Sequence, residues 1–236
     1  MPNPAPHLIV MLTYRDRTVP QAAEVFAQCR HAPAEYWGCK EEGLPLPQLQ
    51  ALFAAMKACG KKTALEVVAY TEAEGLRGAQ MAADCGCDLL LGTVYSDAIL
   101  ALCQAHGMRY MPFVGQVRGR PSALEGTAEQ MIRQAQACLQ KGVFGFDLLG
   151  YRYRGDAGAL IRRFVAAVPA PVCVAGSVDS LPKLDELRDI APWAFTIGSA
   201  FFDEKFGPGF AAQILRVARY LQPTQEGADA ADVLPL

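Results

Sequence analysis

Eight short apolar runs punctuate this chain, at residues 8–12, 36–39, 64–69, 88–91, 109–114, 143–149, 172–175 and 194–197. Each is continuous rather than alternating, the pattern of a strand covered on both faces, as in a parallel sheet flanked by helices. Between the runs the spacing of apolar residues turns helical, over 19–30, 46–59, 71–84, 96–105, 122–140, 156–167, 181–190 and 209–221. Gly60, Gly86, Gly107 and Gly142 each stand just ahead of a strand, where a helix-stop glycine belongs.

Eight strand–helix units with no remainder predict an α/β fold, a single (β/α)8 TIM barrel over residues 1–221, followed by a flexible tail at 222–236. An open, doubly wound sheet fits less well. It uses fewer strands and places a glycine-rich phosphate loop after the first, whereas this loop reads Thr13-Tyr14-Arg15-Asp16-Arg17. A length of 236 residues and a hydrophobic fraction of 52% suffice for one large core.

Net charge is −2, so no basic surface points to nucleic acid. No run approaches the roughly 20 apolar residues of a membrane span, and the first residues lack a basic, then apolar, leader. A soluble cytoplasmic protein is the expectation. Of eight cysteines, five (Cys39, Cys59, Cys103, Cys138 and Cys173) sit in apolar patterns and read as small hydrophobes. Cys85 and Cys87 form the one close pair, without the second pair or nearby histidine that zinc requires.

Strands seven and eight end alike. Val172-Cys173-Val174-Ala175 opens into Gly176-Ser177, and Ala194-Phe195-Thr196-Ile197 opens into Gly198-Ser199. Two such junctions at the end of a barrel offer backbone N–H groups and hydroxyls to one anion.

Charged residues within or just beyond apolar strands are the candidates for chemistry, because an unpaired buried charge is costly. Lys40 closes strand two, as a loop lysine among Glu41 and Glu42 or as an ammonium over the barrel mouth. Glu66 lies inside strand three, where facing inward is the cheaper solution and Lys40 is the nearest partner, for a salt bridge or for a poised catalytic carboxylate. Asp147 sits likewise inside strand six. Asp16 after strand one and Arg152 after strand six are candidate substrate contacts, as is Arg118 in a basic loop, 115–121, that reads as a lid. Asp88 starts strand four and belongs to the opposite, structural face. The three histidines, His7, His31 and His106, also fall on that face and make no metal centre. No motif demands a cofactor; Asp16, Glu66 and Asp147 leave a divalent metal such as magnesium open.

Val174-Ala175-Gly176-Ser177 and Thr196-Ile197-Gly198-Ser199-Ala200 resemble the paired phosphate-gripping strand ends of the ribulose-phosphate-binding barrels. That superfamily includes sugar-phosphate isomerases and epimerases, lyases and decarboxylases. The resemblance implies phosphate contacts from Gly176, Ser177, Gly198 and Ser199, and a phosphorylated small molecule as partner. It does not extend to the Asp-x-Lys pattern of the decarboxylase-like members, since strand three carries Ala64-Leu65-Glu66. The expected activity is isomerisation or epimerisation by enolisation, with Glu66 or Asp147 as base and Lys40 as acid or electrostatic partner. The alternatives are a carbon–carbon lyase using Lys40 and a non-catalytic phosphometabolite-binding barrel. Apolar helix surfaces leave a homo-oligomer open.

Overall fold

A computed structural model describes residues 5–222, so all but the first residue of the expected tail lies outside the described residues. The barrel strands are β1 (His7–Met11), β2 (Tyr36–Lys40), β3 (Lys62–Val67), β4 (Leu89–Gly92), β5 (Arg109–Met111), β6 (Phe146–Leu148), β7 (Val172–Val174) and β8 (Ala194–Ile197). The helices are α1 (Ala22–Cys29), α2 (Leu46–Ala58), α3 (Glu72–Asp84), α4 (Asp97–Ala105), α5 (Ala128–Lys141), α6 (Ala157–Ala167), α7 (Leu181–Ile190) and α8 (Phe210–Tyr220). Each strand runs parallel to its neighbour in sequence, and β8 pairs with β1. Pro112, which has no N–H, ends the β5 ladder. The circle closes there through Phe144 N–H to Tyr110 C=O and Asp147 N–H to Pro112 C=O, both at 3.0 Å. The fold is a (β/α)8 barrel.

Alternation along the strands sorts side chains into two cores. Val10, Trp37, Leu65, Leu90, Phe146 and Val174 face outward against the helices. Ile9, Met11, Ala64, Leu89, Leu91, Met111, Cys173 and Ala194 fill the barrel interior. Gly38 also faces inward, where a Cβ would lie 2.5 Å from Met11 Sδ, so its lack of a side chain gives Met11 its room. At the end where the strands begin, Trp193 packs edge-on against Tyr36 and Phe144, with centroids 5.5 and 5.6 Å away. This aromatic cluster fills the strand-start end of the barrel among the described residues.

Helix starts follow their caps. Thr71 accepts from Glu74 N–H, Ser96 from Ala98 N–H and Asp156 from Ala159 N–H. One expected helix starts late. Residues 122–127 are not helical, because Gln116–Arg118 and Ala123–Glu125 pair as an antiparallel hairpin and α5 begins at Ala128 under a Thr127–Gln130 capping box. A second hairpin, Thr13–Tyr14 with Arg17–Thr18, occupies the loop after β1. A one-turn helix, Ser199–Phe202, follows β8.

Candidate active site

Because Trp37, Cys39, Leu65 and Val67 face the helices, Lys40 and Glu66 point inward from adjacent strands, in direct register. Lys40 Nζ lies 3.1 Å from Glu66 Oε1 and 2.9 Å from Asp16 Oδ1. Lys40 and Glu66 are each 5% exposed. Asp16 reaches them from the hairpin after β1, whose two turn residues, Arg15 and Asp16, are both left-handed at φ 48° and 63°. That two-residue geometry drives the Asp16 side chain down into the barrel mouth. Arg152, at the end of a 3₁₀ turn after β6, donates to both Asp16 oxygens at 2.9 Å.

Two cations and two carboxylates thus form one chain, Arg152–Asp16–Lys40–Glu66, buried at Lys40 and Glu66 and partly buried at Asp16 and Arg152. Burial works against the charge of Asp16, but hydrogen bonds from Arg152 and the adjacent Lys40 outweigh it and hold the carboxyl well below its usual range. Burial also pulls Lys40 down. The charges of Glu66 and Asp16 pull harder the other way, so its pKa is raised and the group is an ammonium.

This chain lines a cavity of about 240 Å³ that is also lined by Gly176, Ser177, Gly198 and Ser199. Gly176 and Ser177 are both left-handed, with φ 87° and 52°. A Cβ at Gly176 would approach Arg152 Cγ to 2.7 Å, so the glycine lets the arginine lie over the strand-seven junction. Ser199 Oγ accepts from Arg15 N–H at 3.0 Å, which ties the first hairpin to the strand-eight junction. Lys205 also lines the cavity and makes no ion pair among the described residues. The two rim acids are engaged elsewhere: Asp179 with Lys183 at 2.8 Å, and Asp203 as acceptor from Tyr14 Oη at 3.1 Å.

The sequence candidates divide cleanly. Lys40, Glu66, Asp16, Arg152 and the two Gly-Ser pairs share one cavity. Asp147 does not line it. Phe146 and Leu148 face the helices, so Asp147 points into the barrel interior, 1% exposed, and neither carboxyl oxygen has a hydrogen-bond partner. Burial first, then the charge of Glu66, pushes its pKa well above the ordinary value. Arg118 is exposed on the hairpin and donates to the Gln116 side chain at 3.2 Å. Its neighbour Arg120 turns toward the mouth instead, reaching Glu41 at 2.6 Å and Glu42 at 2.9 Å. Asp88 accepts from Thr63 N–H at the strand-start end, as its position suggested. Lys205 was not singled out by sequence; its signal was a lysine six residues past Ser199, beyond a single helical turn. Among the described residues no three His, Cys, Asp or Glu side chains converge as a metal site.

Fold and cavity together define a (β/α)8 barrel with an ion-paired mouth opening beside two Gly-Ser strand ends. No protein-family model matches the chain, and no curated protein sequence does either. Solved structures do match. Tryptophan synthase from M. tuberculosis, in an aminoacrylate-bound form, superposes with a TM-score of 0.66 at 16% identity, over 92% of this chain and 94% of that one. Orotidine 5'-phosphate decarboxylase from Lactobacillus acidophilus gives 0.62 at 11% identity, over 93% and 100%. The N-acetylmannosamine-6-phosphate 2-epimerase from Clostridium perfringens gives 0.59 at 12% identity, over 82% and 86%. These likenesses show the shared barrel fold. No described helix is long and apolar enough to cross a membrane.

Proposed function

We propose that this protein is an enzyme acting on a small phosphorylated carbonyl compound, with single-base cleavage or formation of a carbon–carbon bond as its reaction. The phosphate would lie against Gly176-Ser177 and Gly198-Ser199, with Arg152 and Lys205 as nearby cations. The observation that carries the reading is that Lys40, an ammonium held by two carboxylates, lines the same cavity as both Gly-Ser junctions.

In the cleavage direction, Glu66 takes the proton of a substrate hydroxyl placed β to the carbonyl. The bond between the carbinol and α carbons breaks, and its electron pair flows onto the carbonyl oxygen as an enolate. Lys40 stabilises that oxyanion through its charge and N–H groups, and the protonated Glu66 then gives its proton to the enolate carbon, which releases the second product and restores the carboxylate. Asp16 is committed to Arg152 and Lys40, so its part is to hold both cations in place. The raised pKa of Lys40 supports an electrostatic role over attack as a free amine.

The fold relatives named above include a decarboxylase and an epimerase, so both carbon–carbon and carbon–hydrogen cleavage occur on this barrel. A two-base epimerisation needs a second free carboxylate at the cavity; Asp147 is sealed from it, and Asp16, Asp179 and Asp203 are each engaged by Lys40 and Arg152, Lys183 or Tyr14. One-base enolisation by Glu66 remains the second reading, because it uses the same groups.

A panel of phosphorylated hydroxy-carbonyl compounds, assayed in D2O, separates these readings. Cleavage products that vanish in Glu66→Gln support the lyase. Exchange of an α hydrogen for deuterium without cleavage supports isomerisation. Binding without either reaction across the panel would refute an enzyme and support a binding barrel. Borohydride trapping under turnover should leave Lys40 unlabelled; labelling would overturn its electrostatic role.

A further inference from the structure

A second and larger space adjoins the cavity, a groove of about 760 Å³ that shares Asp16, Arg152 and Ser177 with it. Its other walls come from Arg15 and Arg17 of the first hairpin, Glu42, and the Arg120 side of the second hairpin. Four guanidiniums therefore border one groove, contributed by the loops after β1, β5 and β6.

Most of that positive charge is already matched. Arg152 holds Asp16, Arg17 reaches Glu42 at 3.1 Å, and Arg120 bridges Glu41 and Glu42. With Lys40 included, two ion-paired networks and Arg15 bring five cations (Arg15, Arg17, Lys40, Arg120, Arg152) against four carboxylates (Asp16, Glu41, Glu42, Glu66) around the groove and cavity. The surplus is Arg15, exposed and without a carboxylate partner among the described residues. Its backbone is fixed all the same. It occupies a left-handed turn position, and its N–H is bonded to Ser199 Oγ. A cation whose backbone is pinned beside the cavity, whose guanidinium lies 5.3 Å from the Tyr14 ring centroid and which shares the groove with three further guanidiniums, is an arrangement that can recognise a planar or tetrahedral anion.

We propose that the groove binds a second anionic group of the same ligand, so that the substrate is anionic at both ends. The first end is the phosphate at the Gly-Ser junctions. The second is a phosphate or carboxylate beside Arg15 and Arg17. The reacting carbons lie between them, over Lys40 and Glu66. This inference rests on the phosphate-handle part of the proposed function and adds the chemical class of the other terminus.

The test uses the full chain and two ligand series, alkyl monophosphonates and α,ω-alkyl ligands with three to eight carbons. The second series carries a phosphonate at one end and either a phosphonate or a carboxylate at the other. Calorimetry should show one chain length at which a doubly anionic ligand binds at least tenfold more tightly than its monophosphonate. Arg15→Gln with Arg17→Gln should remove that advantage and leave monophosphonate affinity within twofold. Ser177→Asp should weaken both series. Whichever second anion gives the larger Arg15-dependent gain identifies the terminal group. If the monophosphonates bind while no doubly anionic ligand binds better, the second subsite is refuted and the phosphate handle stands. An advantage that survives the double Arg substitution also refutes it. If neither series binds at all, the handle fails and the inference falls with it.

Discussion

Asp147 offers the sharpest physical test of the barrel interior. Its carboxyl is 1% exposed with both oxygens unpartnered, and burial followed by the charge of Glu66 raises its pKa well above the ordinary value. The folded state therefore keeps a proton on Asp147 that the unfolded chain gives up near pH 4. Above that pH the unfolded state binds fewer protons than the folded one, so this group makes stability fall as pH rises. The slope is about 1.4 kcal/mol per pH unit, and it persists until the folded-state pKa is passed. Asp147→Asn removes the titration while keeping nearly the same shape. At pH 4 the variant and the parent should unfold at similar urea concentrations. The variant should then become relatively more stable as pH rises, until the folded-state pKa of Asp147 is passed. Urea unfolding followed by circular dichroism, at half-unit steps from pH 4 to 8, measures that difference directly. A difference that does not change with pH, or a parent that gains on the variant as pH rises, would refute a neutral Asp147.

Two further perturbations probe the mouth. Lys40→Met leaves Glu66 without its cation and should cost about 3–5 kcal/mol of unfolding free energy, the usual result of breaking one side of a buried pair. Adding Glu66→Leu should recover part of the loss, and a double variant no more stable than the single one would count against direct pairing. Ser177→Asp keeps a residue type that tolerates the left-handed backbone at φ 52°, so the fold should survive while like charge repels phosphate. Titration with inorganic phosphate, followed by backbone amide shifts, should show binding in the parent and none in the variant. An unchanged titration would remove the anchor.

The eight strands are legible because a barrel strand is covered on both faces, and its sequence therefore reads as an uninterrupted apolar run. Lys40 and Glu66 are legible for the same reason: Glu66 breaks such a run, Lys40 closes the run on the neighbouring strand, and parallel register brings them together. Other features depend on loops, where no periodicity operates. The bond between Asp16 and Arg152 joins residues 136 positions apart through two irregular turns. The hairpin across 116–125 replaces the start of an expected helix, and its turn residues Gly119 and Pro121 are the local signal for it. Lys205 comes to the cavity only because a one-turn helix and a following turn fold back over the strand-eight junction.

Glu66 and Asp147 look alike in sequence, each a lone acid in an apolar strand, and the fold gives them opposite states. The difference lies in what the adjacent strand holds at the paired position. Glu66 is registered with Lys40 on β2, whereas Asp147 is registered with Cys173 on β7. A thiol that burial keeps protonated supplies no countercharge. Inside one barrel, a lone acidic side chain therefore becomes a paired carboxylate at one position and an uncharged acid at another. The neighbour's identity at one register position decides which, and exchanging those neighbours is the experiment that follows. Placing a lysine at position 173 should draw Asp147 into its ionised form, so that Cys173→Lys loses the parent's fall in stability with rising pH. If Cys173→Lys still loses stability with pH as the parent does, with the fold intact, register pairing does not control the charge state of acids in this barrel.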